Sequence, residues 1–183
     1  MSVETATDRD RFEAALEDLG VPVTAADPAT FDRTLQSIVD GPVVGTPLPF
    51  DGVCLPDWVA HEPTPATLET AVTGVTAASF AVADYGSVVL PSTPEGAEQV
   101  SLFCDLHVPV LRASDIVPDM PRAIERLGPT LRDGASAIIA TGPSATADMG
   151  ALVTGAHGPK DVHVVVLETT ACSNATERGV DNE

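Results

Sequence analysis

Positive charge is scarce in this 183-residue chain. Lys and Arg together number 9, against 27 Asp and Glu, and the formal net charge is −18. Lys160 is the one lysine of the sequence. Nucleic-acid binding through a general basic surface is excluded, because neutralising phosphates takes clustered Lys and Arg. Docking on anionic lipid is disfavoured for the same reason.

Long apolar runs are also missing. No run of the sequence approaches the roughly 18 residues that a membrane span needs. The first ten residues, MSVETATDRD, show neither the cationic part nor the apolar part of a signal peptide. The sequence therefore predicts a cytoplasmic protein without membrane insertion.

Cysteine is sparse and scattered. Cys54, Cys104 and Cys172 form no CxxC pair, and an iron–sulfur cluster takes about four thiolates. We therefore expect no cluster on this chain, no metal site and no cofactor of its own. Cys104 and His107 form a CxxH pair, but two ligands do not make a zinc site. The favoured interpretation is a buried thiol and a histidine at the end of a strand.

The acidic residues run from Glu4 to Glu183 rather than forming one tail, and 44% of the residues are hydrophobic. This combination predicts a folded protein whose whole surface is acidic. Such a surface repels itself at low salt, and salt shortens that repulsion to about 3 Å at 1 M. We predict a halophilic protein of a salt-accumulating cytoplasm; an ordinary acidic bacterial protein is the alternative.

Apolar periodicity and capping residues predict alternating helices and strands. Helices are expected at 8–19, after Asp27 with Pro28 at the first position, and at 65–71, 95–103, 121–131 and 146–153. Strands are expected at 43–44, 53–55, 75–83, 86–90, 108–111, 137–140 and 162–167. Pro109 predicts an edge or an irregular start for its strand, and Pro129 predicts a break or bend in its helix.

The alternation predicts an α/β fold with a mainly parallel sheet flanked by helices. The run at 137–140 is expected to be a buried strand, because continuous apolar strands fit a sheet covered on both faces. For the domain organisation, we expect an N-terminal helical and loop segment at 1–60, an α/β core at 61–170 and a flexible acidic tail at 171–183.

The segment 141–160, TGPSATADMGALVTGAHGPK, is the richest in candidate site residues. It is expected to open a helix at the carboxyl edge of a parallel sheet, where ligands bind. Gly142 allows close backbone approach, Ser144 and Thr146 can cap the helix, and its free N–H groups can hold an anion. A capped turn without a ligand is the alternative. Neither a Walker loop nor GxGxxG is present, so no nucleotide is implied.

Three charged or titratable residues of this segment are further candidates. Asp148 would lie in the first helical turn, where either the helix dipole or a ligand explains a carboxylate. His157 and Lys160 would form a local cationic spot that attracts a carboxylate or a phosphate. A turn histidine and a solvated lysine are the alternative.

A second candidate is the tight connection Asp84-Tyr85-Gly86-Ser87 between two apolar strands. Asp84 either faces a ligand cleft or forms an Asx-type turn. Thr76, eight residues earlier, could supply a hydroxyl to the same region. No GxSxG nucleophile is present, so no catalytic residue is assigned and enzymatic activity is left open.

The relative position of the loops 141–144 and 155–160 has two solutions. A regular βαβ unit would separate them by about the helix length, roughly 12 Å. A loop that folds back after the helix would place them side by side in one site. Both arrangements stay open at this point.

Two ordered motifs resemble those of a known family. Residues 74–90, GVTAASFAVADYGSVVL, resemble the GxTxAxxxIAxxGTI signature of the LutC/YkgG lactate-utilisation family, the LUD domain. TGPSATAD at 141–148 and GAHGP at 155–159 resemble its second signature, GPSxTADIE followed by GxHGP. The resemblance covers about 65–168. It departs at Ala145, where the family usually has Arg or Lys, and at Met149-Gly150, where it usually has Ile-Glu.

The resemblance implies a fold similar to the NagB/RpiA/CoA-transferase group and a part in L-lactate oxidation. This chain would be the cluster-free subunit, working with separate iron–sulfur partner proteins. A small carboxylate would occupy an anion-accepting cleft that includes Asp84, Gly142, Ser144, Asp148 and His157. Two alternatives remain: a free-standing enzyme for an acyl or phosphorylated substrate, and a scaffold or regulator of an assembly.

Overall fold

Helices and strands alternate along the chain in the computed structural model, which describes residues 6–148 and 151–168. The α-helices are α1 (Asp8–Asp18), α2 (Phe31–Ile38), α3 (Pro65–Thr70), α4 (Ala97–Phe103) and α5 (Met120–Arg132). The strands are β1 (Val23–Ala26), β2 (Val43–Gly45), β3 (Thr73–Ala77), β4 (Phe80–Val82), β5 (Ser87–Pro91), β6 (Leu106–Arg112), β7 (Ile116–Val117), β8 (Ala137–Thr141), β9 (Ala145–Asp148), β10 (Ala151–Thr154), β11 (Asp161–Val162) and β12 (Val164–Leu167). The predicted tail at 171–183 lies outside the described residues.

A parallel sheet forms the centre of the fold. Its strand order is β1-β12-β6-β3-β2, and β11 also pairs with β6. Val165 packs on one face, in a cluster with Phe31 and Leu35 of α2, and Val164 packs on the other, in a cluster with Phe12 of α1. The predicted α/β class, with a mainly parallel sheet flanked by helices, is confirmed. Apolar residues line the strands without alternation because both faces are covered.

A second sheet, in the order β7-β4-β5-β8, covers part of one face of the first. β5 pairs antiparallel with β4 and with β8. Residues 137–140 do form a strand, as predicted, but the prediction that this strand is buried is wrong. β8 is an edge strand, and Ile139 is 38% exposed. An apolar run predicts a strand but does not say which sheet that strand joins.

The apolar run at 75–83 passes from one sheet to the other. β3 lies in the parallel sheet and β4 in the second sheet. At the crossing, the N–H of Ala78 donates to the carbonyl oxygen of Val110 in β6, and the N–H of Ser79 donates to that of Val89 in β5. The one strand predicted at 75–83 is thus two strands. The sequence does not separate them because both are apolar.

The first 60 residues supply two strands of the parallel sheet, β1 and β2. α1 begins at Asp8, as predicted, and Thr7 and Asp10 form a capping box at this end. α2 begins at Phe31 rather than at Pro28, because the Asp27 carboxylate accepts from Thr30 and forms a turn first. The predicted strand at 53–55 is wrong; a single bridge between Phe50 and Val53 is found there. The predicted domain boundaries stay a prediction.

Both prolines lie inside elements that continue past them, so the predicted break at Pro129 is wrong. Pro109 lies in β6, a central strand with β3 on one side and β12 on the other, so the predicted edge position is wrong. The pairing of β6 with β11 and β12 is interrupted opposite Pro109, whose nitrogen has no hydrogen to donate. Pro129 lies in the last turn of α5, and the helix continues to Arg132.

A β-hairpin replaces the predicted helix at 146–153. β9 and β10 pair antiparallel, with Thr146 opposite Val153. Both residues are β-branched, and such side chains favour strands over helices. The helix prediction is wrong. The anion site predicted at the N-terminus of that helix is therefore wrong as well.

None of the helices in residues 6–148 and 151–168 is long and apolar enough to cross a membrane.

Gly74 brings α4 onto β3. A Cβ atom at Gly74 would lie 2.6 Å from the carbonyl oxygen of Val100 and 3.0 Å from Sγ of Cys104. We expect Gly74→Ala to lower the free energy of unfolding by about 2 kcal/mol, because overpacking against backbone forces the helix away. Gly128→Ala in α5 is the control, since its nearest atom would be 3.7 Å away; it should be neutral or stabilise by up to about 1 kcal/mol. Equal urea midpoints for the two variants would contradict this.

Candidate functional site

A cavity of about 290 Å³ lies between the two sheets. Its inner walls are apolar: Val88 and Leu90 come from β5, and Val164 comes from β12. Exposed residues, among them Ala145 and His157, form its mouth. Ligand sites in proteins are concave and mostly apolar, with a few placed polar groups. This cavity is therefore the candidate functional site.

The loops 141–144 and 155–160 lie side by side at the mouth. The N–H of Ser144 donates to the carbonyl oxygen of Pro159 at 2.9 Å, and the N–H of Gly155 donates to that of Ser144, also at 2.9 Å. The hairpin between the two loops returns the chain to its starting point. Of the two arrangements that the sequence left open, the adjacent one is found, because no helix separates the loops.

Gly158 lets the two loops pack closely. A Cβ atom at Gly158 would lie 3.0 Å from Cβ of Ser144 and 3.4 Å from its hydroxyl oxygen. Any larger residue would be in tight contact with Ser144, so one of the two loops would have to shift. The glycine is thus explained by the contact between the loops.

Four of the predicted site residues line the cavity: Gly86, Gly142, Ser144 and His157. A further polar contact lies beside them, where the hydroxyls of Ser87 and Thr141 are 2.7 Å apart and join β5 to β8. The structure thus brings both sequence motifs to one site.

Two charged candidates do not line the cavity. Asp84 is exposed and forms an ion pair with Arg11 of α1. Nζ of Lys160 lies 2.8 Å from the carboxylate of Asp105. Both side chains have a partner on the surface, so neither the expected carboxylate nor the expected ammonium group is at the cavity wall.

The hairpin changes what Ser144, Thr146 and Asp148 can do. The predicted capping role of Ser144 and Thr146 and the predicted helix-dipole role of Asp148 are wrong, because no helix begins there. Thr146 does not line the cavity. For Asp148 only the backbone is described, and it pairs with that of Ala151.

Thr76 lies behind the cavity wall and holds a histidine. Its side chain is fully buried, and its hydroxyl is 2.8 Å from Nε2 of His107 in β6. His107 is 2% exposed and lines the cavity. Burial lowers the pKa of His107 to about 3, because removal from water penalises the imidazolium form. The ring is therefore neutral at ordinary pH.

His107 was missed as a site residue. The CxxH spacing drew attention to it only as half of a metal pair, and its hydrogen bond is with Thr76 rather than Cys104. A histidine at the start of the apolar run LHVPVL was the available signal, since a polar ring in a buried strand needs a partner.

Cys104 is a buried thiol, as the sequence analysis favoured. Burial raises the pKa of Cys104 to about 11, and the Asp105 carboxylate adds to that rise. Within residues 6–148 and 151–168, no three His, Cys, Asp or Glu side chains are grouped so that they could hold a metal ion.

Comparison with known proteins identifies the family. The model of the LUD domain matches residues 57–167, which is more than half of the chain. The chain belongs to the LUD domain family. The match includes both motifs, both loops and His107, whereas α1, which contributes Leu16 to the cavity, lies before it.

Two relatives of this LUD domain protein are named Lactate utilization protein C. The one from Deinococcus radiodurans is 30% identical over 127 residues, covering 67% of this chain and 59% of the relative. The one from Bacillus subtilis is 30% identical over 159 residues, covering 81% of this chain and 63% of the relative. The chain thus spans less than two thirds of the length of these relatives.

A solved structure shares the fold. The crystal structure of a DUF162 family protein from Deinococcus radiodurans superimposes with a TM-score of 0.68 at 20% identity, covering 89% of this chain and 99% of that chain. At this identity the likeness concerns the fold alone.

Proposed function

We propose that this chain is the cluster-free component of an L-lactate utilisation system in the cytoplasm, working with separate iron–sulfur proteins. The observation that carries the proposal is the match to the two relatives named Lactate utilization protein C, over 127 and 159 residues. The iron–sulfur proteins are proposed as partners because the two sequence motifs resemble those of the family.

The cysteines support a division of labour between chains. An iron–sulfur cluster takes about four thiolates, and this sequence has three cysteines. Cys104 is buried at the C-terminal end of α4, and Cys54 is exposed. The raised pKa of Cys104 also disfavours the thiolate that a cluster needs. Electron transfer through a cluster would therefore take place on a partner.

The alternative is a free-standing enzyme for an acyl or phosphorylated substrate. In its favour, Ser144 and His157 line one cavity, as a nucleophile and a base would. Against it, no hydrogen bond joins these two side chains in the described part of the chain, and the cavity wall contains no Lys or Arg to pair with a phosphate. The observations therefore favour the first function.

Purification from the native host separates the two functions. The full chain, tagged and expressed during growth on L-lactate, is captured at about 1 M KCl, a concentration that screens its surface charge. We expect two cysteine-rich proteins to co-purify and to carry iron–sulfur absorption, while the chain alone stays colourless. An untagged host and growth without lactate are the controls.

Two results would overturn the proposal. One is capture of the chain without any iron–sulfur protein. The other is normal growth on L-lactate after deletion of this chain.

A further part of the proposal is the environment. The net charge of −18 supports a salt-accumulating cytoplasm. Within the described residues, seven ion pairs engage seven carboxylates, and exposed carboxylates such as Glu17 and Asp18 are in none of these pairs. Such carboxylates depend on solvent ions for neutralisation.

A further inference from the structure

The cavity between the sheets contains a polar group that the proposed function does not use. His107 lies in its wall and is 2% exposed. Nε2 of the ring is 2.8 Å from the Thr76 hydroxyl. Nδ1 forms no hydrogen bond among the described residues, and no fully buried side-chain nitrogen or oxygen there is left without a partner, which fits an Nδ1 atom that opens into the cavity rather than one sealed in the core. The cavity is the space from which such a partner could come.

Thr76 sets the orientation of this ring. Both residues lie in paired strands of the parallel sheet, and Thr76 is fully buried. If the hydroxyl donates to Nε2, Nδ1 carries the proton; if Nε2 donates, Nδ1 has a free lone pair. A ligand hydroxyl matches either case, because it can both donate and accept.

The cavity wall is unsuited to a buried anion. Among the described residues, the ionisable side chains of the wall are those of His107 and His157, and His157 is exposed at the mouth. Lys160 is paired with Asp105, and position 145 at the mouth is alanine. Moving a carboxylate from water into such a cavity without a cationic partner is strongly unfavourable, because the charge loses its hydration. The depressed pKa of His107 agrees, since its environment disfavours charge.

The size and the walls favour an apolar body. The volume of about 290 Å³ corresponds to about ten water molecules at about 30 Å³ each. L-lactate, a three-carbon acid, would fill only part of it. Val88, Leu90 and Val164 offer apolar contacts along the walls. A larger molecule with a hydrocarbon part would displace the water from these surfaces.

We propose that the cavity binds an uncharged small molecule with an apolar body, whose hydroxyl group forms a hydrogen bond with Nδ1 of His107. Thr76 is the positioning residue that holds the ring for this contact. This site goes beyond the proposed lactate function, because its ligand is neither lactate nor a partner protein.

NMR titration of the full chain, labelled at its histidine rings, tests the proposal. The probes are cyclohexanol, cyclohexanecarboxylate with the same ring and a negative charge, and L-lactate. We expect cyclohexanol to shift the His107 ring signals with a dissociation constant of about 1 mM, and the carboxylate to bind at least about tenfold more weakly. L-lactate should leave these signals unchanged.

Matched variants assign the contact. Thr76→Val removes the hydroxyl that holds His107 and should weaken cyclohexanol binding about tenfold. Thr24→Val is the control: its hydroxyl is also 2.8 Å from a histidine Nε2, that of His163, which does not line the cavity. Ala140→Leu reduces the cavity from β8, where Ala140 is a lining residue, leaves the Thr76 and His107 side chains in place and should also weaken binding.

Three results would overturn the proposal. Either carboxylate could bind at His107 as tightly as cyclohexanol, which makes the cavity an anion site. Cyclohexanol could leave the His107 signals unchanged at about 50 mM, far above the expected dissociation constant. Ala140→Leu could bind cyclohexanol as tightly as the wild type. That result would contradict binding in the cavity even if Thr76→Val fails to fold. None of these results bears on capture of the iron–sulfur partners, which tests the proposed function separately.

Discussion

Raising the KCl concentration from about 0.1 M to about 1 M should raise the melting temperature by about 10 °C or more, as the Debye length falls from about 10 Å to about 3 Å. The folded chain concentrates a net charge of −18 on one surface, whereas the unfolded chain spreads it out. Screening therefore stabilises the folded state more than the unfolded state. Thermal unfolding followed by circular dichroism at several KCl concentrations measures this.

The C-terminal end of α1 shows where the repulsion acts. Glu17 and Asp18 are exposed there, and the last turn of the helix has no basic residue. The helix dipole presents its negative end to these carboxylates. Both side chains are thus repelled by the helix as well as by the net negative charge of the chain.

A double variant, Glu17→Lys with Asp18→Lys, provides the control for the salt effect. It should raise the melting temperature at low KCl and reduce the gain on going to molar KCl, because it lowers the net negative charge and favours the helix dipole. Equal melting temperatures of the wild type at low and molar KCl would contradict the proposed salt-accumulating environment.

Lowering the pH from 7 to about 4.5 should cost about 3 kcal/mol of the free energy of unfolding through His107 alone. Burial holds the pKa of His107 at about 3, against 6.5 as its model value. Below pH 6.5 the unfolded chain takes up a proton that the folded chain refuses. The contribution is therefore complete above pH 6.5 and is lost as the pH falls towards 3.

Comparison with His107→Gln isolates this contribution, since Gln does not titrate and keeps a polar group near Thr76. Urea unfolding at molar KCl should show that the wild type loses about 3 kcal/mol more than the variant between pH 7 and about 4.5. Parallel pH profiles would contradict a buried neutral histidine. His163→Gln is a second comparison, because half-burial lowers the pKa of His163 as well.

Short-range patterns made several elements predictable. The start of α1 at Asp8, the start of α3 at Pro65 and the strand β12 in the apolar run 162–167 lie where the sequence predicts them. These signals depend on residues a few positions apart, so they do not require knowledge of contacts with distant parts of the chain. The two motifs of the LUD family were recognisable for the same reason.

Pairing between distant segments was not predictable in this way. β8 joins β5, so the strand at 137–141 lies at the edge of the second sheet instead of in the parallel one. Thr146 and Val153 face each other in a hairpin, although their segment also fits a short helix. Burial of an apolar residue is equally favourable in either sheet. The apolar pattern of a strand therefore does not determine which other strand it pairs with.

The sequence by itself determined the fold class, the net charge of −18 and the family, and it singled out the loops 141–144 and 155–160 without deciding whether they meet. The tertiary structure decided which polar groups face that cavity. Asp84 bonds to Arg11 across 73 positions, Lys160 to Asp105 across 55, and Thr76 to His107 across 31. Each bond forms because a polar or charged group near the surface or in the core needs a partner in space. Such partners lie far apart along the chain, and only the folded protein brings them together.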